Sequence, residues 1–198
     1  MGKESVDFDG HADLALRVGS GDGRPVIFNA SSRALARASP VFDRMLYGDF
    51  VESKTRATDD NWTVDLPNDS PSSMEVFLNI THAHFKSVPK VLNIDELYDL
   101  TVLTDFFDAI SSLAPWTDTW MSSINELPID ASLAPKLLWI AWQLGREEIF
   151  ENISREILME SEGPLSADTR PFSEIRMAPD IVGKQSPGER EVPSRARV

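Results

Sequence analysis

The sequence predicts an α+β domain in which a small sheet of about three strands is covered by a helical cluster, with a helical extension on its C-terminal side. Three patterns predict this class. Short apolar or alternating stretches occur in the first part of the chain, and apolar residues at helical spacing dominate the later part. Helix-start signals of the Ser-Pro and Asn-x-x-Glu types separate the helical segments from one another.

The predicted strands lie before residue 67. Residues 14–18 alternate apolar with other side chains, and a second apolar run covers residues 25–28. The glycine-rich segment 19–23 between them predicts a hairpin turn. A third strand is predicted at residues 62–66 and ends before Pro67.

Local signals also predict where the helices begin. A first helix is expected over residues 32–38, and the Ser-Pro pair at 39–40 begins a second one, because proline suits the first helical position and serine can cap it. A further Ser-Pro pair at 70–71 and the pair Asn93 and Glu96 begin two longer helices.

The segment 113–160 is predicted to be a helical extension, with one helix around Trp120, one ending at Gly145 and one after it. Residues 161–198 hold six basic and six acidic side chains and five of the 13 prolines. This composition buries too little apolar surface to offset the entropy of ordering, so we expect a disordered tail. Residues 1–10 are expected to form a flexible N-terminal segment.

The composition excludes several classes of protein. With 19 Lys and Arg against 32 Asp and Glu, the chain carries a formal net charge of −13, which disfavours direct nucleic-acid binding. It contains no cysteine, so disulfides and thiolate metal sites are excluded. The start lacks the pattern of a signal peptide, and no window has the apolar length of a membrane span. We therefore expect an intracellular protein, in the cytoplasm, the nucleus or both, that does not bind membranes.

The sequence shows no catalytic, cofactor-binding or metal-binding motif. The glycine-rich segment 19–23 leads into a strand, so no helix N-terminus follows it to hold a phosphate. His82 and His84 lack a third Cys or His ligand nearby, and His11 lies apart from both. The prediction is a protein that is not an enzyme and uses no cofactor.

A series of short motifs resembles a BTB/POZ domain both in sequence and in order. In chain order they are Asp13-Leu14-x-Leu16-x-Val18, Leu35-Ala36-x-x-Ser39-Pro40-Val41-Phe42, Met45-Leu46, Phe50-Val51-Glu52-Ser53, Val64-x-Leu66-Pro67, Leu78-x-Ile80-x-His82, Leu97-Tyr98-x-Leu100 and Leu103-x-Asp105-Phe106-Phe107-Asp108. The resemblance implies a BTB/POZ-like domain over residues 11–112. Two later segments are similar to the C-terminal part of BTB proteins common in filamentous fungi: Pro115-Trp116 with Trp120, and Leu138 with Ala141-Trp142, Gly145-Arg146-Glu147 and Phe150.

The chain departs from the family at its expected dimer surface. BTB domains usually have a His and a basic residue shortly after the second strand, and here those positions are Ser31 and Ser32. The resemblance implies an ion pair between Asp13 and that basic residue, which Arg33 would have to replace. The helical pair that precedes the first strand in strand-swapped dimers is also missing. A homodimer through Asp13 and Arg33 is therefore only one of the expected arrangements.

The resemblance also implies a partner-binding motif. BTB adaptors of cullin ubiquitin ligases have a hydrophobic-x-Glu element at the place where this chain has Phe50, Val51 and Glu52. The alternative is that Phe50 folds back under the sheet and Glu52 is a solvated charge. Four tryptophans in the extension present a similar choice between a helix core and a recognition groove: Trp116, Trp120, Trp139 and Trp142.

These features together predict a non-enzymatic protein–protein interaction module, with use as a substrate adaptor for a cullin ubiquitin ligase implied by the resemblance. The alternative is a transcriptional co-regulator that acts through protein partners without touching DNA. The expected partners are proteins in both cases, namely a cullin scaffold, a second copy of the chain, or a separate DNA-binding protein.

Overall fold

The computed structural model describes residues 5–19, 25–49, 62–125 and 132–160. Over these residues the chain has an α+β fold with four strands, seven α-helices and one short 3-10 helix. In chain order they are β1 (Ser5–Asp7), β2 (Leu14–Val18), β3 (Val26–Ala30), α1 (Ser32–Ala38), α2 (Pro40–Tyr47), β4 (Thr63–Leu66), α3 (Pro71–Thr81), α4 (Ile94–Phe106), the 3-10 helix (Ile110–Leu113), α5 (Thr117–Asn125), α6 (Ala134–Gln143) and α7 (Glu147–Glu160).

The four strands form one mixed sheet in the order β1-β3-β2-β4. β2 pairs antiparallel with β3, as the hairpin prediction requires, and parallel with β4. Leu14, Leu16 and Val18 are buried on the core face of β2, which confirms the predicted alternation. On the other face, Arg17 forms a bidentate ion pair with Asp65 of β4, which raises the pKa of the guanidinium. The tip of the predicted hairpin turn lies outside the described residues.

The sheet has four strands, one more than the sequence predicts. β1 lies in the segment 1–10 that the sequence analysis treats as a flexible start, and it pairs parallel with β3. Phe8, directly after β1, is buried and packs edge-to-face on Phe28 with the ring centres 5.7 Å apart. A three-residue strand is too short to show a period, and its partner lies about twenty residues away, so local pattern could not predict it.

The core lies between the sheet and the helices. Phe42 of α2 stands at its centre, completely buried and stacked on Phe107 at 4.3 Å and on Phe77 of α3 at 6.3 Å. Stacked and edge-to-face aromatic pairs add about 0.5–1.5 kcal/mol each beyond their buried area. The Phe of the Ser-Pro-Val-Phe motif is therefore a core residue.

The predicted helix starts are confirmed at their capping groups. The Ser39 hydroxyl oxygen accepts the Phe42 N–H at 3.0 Å and also donates its proton to the Phe107 carbonyl. At the start of α4, Asn93 and Glu96 form a reciprocal capping box, with both side chain–backbone distances 2.9 Å. These bonds satisfy N–H groups that have no partner within the helix.

Three helices end in the same backbone arrangement, with the residue after the C-cap in the left-handed region. Those residues are Ala83 after α3 (φ 61°), Asp108 after α4 (φ 52°) and Gly145 after α6 (φ 65°). In each case the next N–H bonds back five residues along the chain, at 2.7–2.8 Å, which is the Schellman pattern. Only Gly145 is the residue type that predicts such an end.

The helical extension shares its core with the rest of the domain. Trp120 of α5 is completely buried, and its indole N–H donates to the Pro89 carbonyl at 2.8 Å. α6 packs against α4 and α7, and Gln143 donates to Asp105 at 3.0 Å. Within the described ranges, no helix is both long enough and apolar enough to span a membrane.

Candidate functional site

The predicted cullin-binding residues Phe50, Val51 and Glu52 lie outside the described residues. The structure describes the chain up to Asp49, which is exposed, as is Gly48. α2 ends at Tyr47 with a C-cap bond from the Gly48 N–H to the Arg44 carbonyl. The motif therefore begins three residues beyond the end of α2.

The predicted dimer residue Asp13 binds the start of α1. Its two carboxylate oxygens accept the backbone N–H of Ser32 at 2.7 Å and the hydroxyl of Ser32 at 2.6 Å. Ser31, the N-cap residue of α1, makes no side-chain cap bond. Asp13 thus supplies, from nineteen residues earlier in the chain, the negative cap that a helix N-terminus favours.

Arg33 does not take the role that the resemblance implies for it. Its guanidinium lies over the Tyr47 ring, 4.5 Å from the ring centre, while Asp13 is engaged by Ser32. The Tyr47 hydroxyl is hydrogen-bonded to the Ser32 hydroxyl. The buried Ser32, which stands at the family's basic position, is therefore part of a partly buried polar network with Asp13 and Tyr47. The expected Asp13–Arg33 pair is not formed within the chain.

His82 joins three parts of the fold. Its Nε2 accepts the Ser31 N–H at 2.9 Å, and its Nδ1 lies 3.0 Å from the Leu78 carbonyl, to which it donates when the imidazole is neutral. The Phe8 ring packs against it, 5.9 Å between ring centres. Burial lowers the pKa of His82. This effect outweighs the hydrogen bond to Leu78 and the charge of Asp9, which both raise the pKa. Neutral His82 therefore acts as a structural residue that joins these parts of the fold.

The tryptophans divide between core and surface. Trp120 and Trp139 are buried, which supports the helix-core alternative for these two. Trp142 is 49% exposed on α6 and contacts Phe150 of α7 at 5.9 Å between ring centres. Trp116 is partly buried and stacks on Trp120 at 6.3 Å.

An exposed aromatic surface that the sequence analysis does not single out lies beside Trp116. Phe85 is 58% exposed, and its ring is 5.7 Å from that of Trp116. Phe85 belongs to the α3–α4 loop, defined here as residues 82–93, which also carries Val91 at 65% exposure. The signal available in the sequence is an apolar residue directly after a histidine-rich helix end, which is too common a pattern to predict a surface.

Two depressions in the described surface could receive side chains of a partner. The larger, of about 360 Å³, is lined by residues of the β4–α3 turn and of α4, including Asp69, Asp99 and Phe106. Partial burial raises the pKa of the Asp99 carboxyl, although the charge of Lys136 opposes this. The smaller, of about 250 Å³, lies between α3, α4 and the α3–α4 loop.

The described residues include no group of three or more His, Cys, Asp or Glu side chains placed to hold a metal ion. His11 is exposed, and its backbone N–H donates to the Asp9 carboxylate. Among models of protein families and among curated protein sequences, nothing matches this chain. The structure itself defines the class only as an α+β fold with a small mixed sheet under a layer of helices.

Proposed function

We propose that this chain is a protein–protein interaction module of the BTB/POZ type, without enzymatic activity, and that it serves as a substrate adaptor for a cullin ubiquitin ligase. The observation that carries the proposal is that motifs of the BTB resemblance lie on helices and a strand that share one core. The Ser39–Phe42 motif begins α2, the Val64–Pro67 motif coincides with β4, and the Leu97–Leu103 motifs lie on α4, all contributing to one core.

The position of the Phe50-Val51-Glu52 motif supports the adaptor role. It follows α2, whose buried residues Phe42 and Leu46 fix that helix in the core. Phe50 suits the role of the anchor, because a large aromatic side chain that becomes buried at the centre of an interface is a common hot spot.

The test is binding to a panel of purified cullin N-terminal domains, measured by biolayer interferometry with the full chain immobilised. We expect Phe50→Ala and Glu52→Ala each to weaken the interaction at least tenfold. Val51→Ala is the matched control, because the middle position of the motif accepts any residue, and its affinity should stay within threefold. Failure of every cullin to bind, or equal binding by all variants, would overturn the adaptor role.

Self-association through the surface around Arg33 is the second part of the proposal. Arg33 is exposed, and it forms no ion pair with any described residue. Its guanidinium can therefore pair with a carboxylate of a second copy. Light scattering at two protein concentrations should show a dimer that Arg33→Glu abolishes and Arg37→Glu, on the same helix, does not. A monomer at both concentrations would refute this part.

The co-regulator alternative makes a different prediction. A chain that binds no cullin but accumulates in the nucleus, with or without residues 161–198, as judged by fluorescence of a tagged chain, would favour it over the adaptor.

A further inference from the structure

The α3–α4 loop differs from the rest of the chain in its charge. From residue 76 to residue 94 there is no aspartate or glutamate, although the whole chain has 32 of them. The same stretch contains Lys86 and Lys90, both exposed, in addition to His82 and His84. Neither lysine forms an ion pair with a described residue, whereas Lys136 and Arg146 on the extension do.

The loop is held in place by bonds that do not involve its exposed side chains. The His84 N–H closes the end of α3 on the Asn79 carbonyl at 2.8 Å, and the Ser87 N–H bonds back to the His84 carbonyl at 2.9 Å. Trp120 holds the Pro89 carbonyl, and the side chains of Val88 and Leu92 are buried. The exposure of Phe85 is therefore a property of an ordered loop.

Phe85 and Trp116 together form an aromatic shelf. The Phe85 ring is inclined by 52° to that of Trp116, which in turn stacks on the buried Trp120. An apolar side chain placed on this shelf would bury apolar area that now faces water, which favours binding. The nearest charged residue along α5, Asp118, is paired with Arg146.

We propose that the α3–α4 loop is a docking site for an acidic peptide segment of another protein that contains an aromatic or aliphatic anchor residue. The anchor sits on the Phe85–Trp116 shelf, and carboxylates beside it pair with Lys86 and Lys90. The inference goes beyond the proposed function, since it concerns a different surface and a different partner from the cullin motif. Charge favours a short acidic segment, because the stretch from residue 76 to residue 94 offers the exposed Lys86 and Lys90 no Asp or Glu of its own. A nucleic acid or an anionic membrane would extend beyond this stretch over a chain whose net charge is −13.

The test starts from a nonamer phage-display library selected on the immobilised full chain. We expect the enriched peptides to carry an excess of Asp and Glu around one aromatic or aliphatic residue. A fluorescein-labelled synthetic copy of the strongest peptide is then titrated with each variant by fluorescence anisotropy. Phe85→Ser and the double variant Lys86→Glu/Lys90→Glu should each lose at least tenfold in affinity, and the affinity should fall between 50 and 300 mM salt.

Two controls make the outcome specific. Trp142→Ser removes an exposed aromatic residue of another surface and should leave the affinity within twofold, as should Phe50→Ala. All variants are first compared with the wild type by thermal unfolding, and Phe85→Ser should match it because the ring is mostly exposed. Peptides without acidic excess, equal binding by Phe85→Ser, or binding of the loop to phosphatidylserine vesicles or single-stranded RNA instead of peptide would each overturn the proposal.

Loss of cullin binding in Phe50→Ala with peptide binding intact would leave this inference standing. Loss of peptide binding in Phe85→Ser with cullin binding intact would leave the adaptor role standing. The two proposals can therefore fail separately.

Discussion

Replacing Asp13 by alanine should destabilise the protein by about 1–2 kcal/mol. The change removes the two hydrogen bonds that its carboxylate accepts from Ser32, at 2.7 and 2.6 Å. Removing an aspartate cap costs about 0.5–2 kcal/mol, and a hydrogen bond to a charged group is worth about 1.5–3 kcal/mol when shielded from water. Asp13 is exposed as a residue, so the effect should stay within the range for a cap and not reach the upper values for a hydrogen bond to a charged group.

The assay is urea unfolding followed by tryptophan fluorescence, with Asp13→Asn as a second variant. Asparagine keeps an acceptor for the Ser32 N–H but loses the negative charge at the helix N-terminus, so we expect about half the effect of alanine. A change in midpoint without a change in slope would show that stability alone has moved.

Two double-mutant cycles separate the observed contact from the one that the BTB resemblance implies. Asp13→Ala combined with Ser32→Ala should give a coupling energy of about 1 kcal/mol, because both single variants break the same bonds. Asp13→Ala combined with Arg33→Ala should give coupling within about 0.3 kcal/mol of zero in the monomer. A larger coupling to Arg33 than to Ser32 would refute the assignment of Asp13 as the cap of α1.

Three other perturbations have definite expected results. Trp120→Phe should cost about 2–3 kcal/mol in urea unfolding, because it opens a cavity and leaves the Pro89 carbonyl without its donor. Ala83→Gly should stabilise the protein by about 0.5–1 kcal/mol, measured in the same way, since glycine adopts the observed φ of 61° without strain; a loss of stability would contradict that reasoning. The pKa of His82 in the folded state is lower than its unfolded value of about 6.5. As the pH falls through 6.5, the unfolded state therefore takes up the proton before the folded state does. Stability should therefore be full above that pH and decrease below it, and His82→Gln should show a smaller decrease between pH 7.5 and 5.5 in unfolding experiments repeated across that range.

Sequence reasoning located most helix starts because a cap is a local feature. The residues that form it lie within three or four positions of one another, as at Ser39 and at Asn93 with Glu96, so their side-chain chemistry can be recognised without knowing the fold. The ends of α3 and α4 could not be predicted in the same way. Ala83 and Asp108 adopt the left-handed conformation that glycine usually provides, so their residue types do not predict these helix ends.

The candidate sites were harder to predict because their geometry depends on contacts that are distant in sequence. The resemblance points to Asp13, but its partner Ser32 lies nineteen residues further along the chain, and only the fold brings the two side chains together. The exposure of Phe85 depends likewise on Trp120, which fixes the loop from a helix thirty residues away. Burial and exposure of aromatic residues are set by such contacts, and composition alone cannot assign them.

The uneven distribution of charge gives the proposed docking loop a means of orienting its partner. An acidic segment that approaches this chain is repelled by its net charge of −13, whereas at the loop it meets the exposed Lys86 and Lys90, which form no ion pair with a described residue. Repulsion elsewhere favours the loop as strongly as attraction at the loop does, because specificity is a difference between two affinities. Screening at a Debye length of about 8 Å weakens both effects in physiological salt, so the aromatic shelf of Phe85 and Trp116 has to supply the part of the affinity that does not depend on salt.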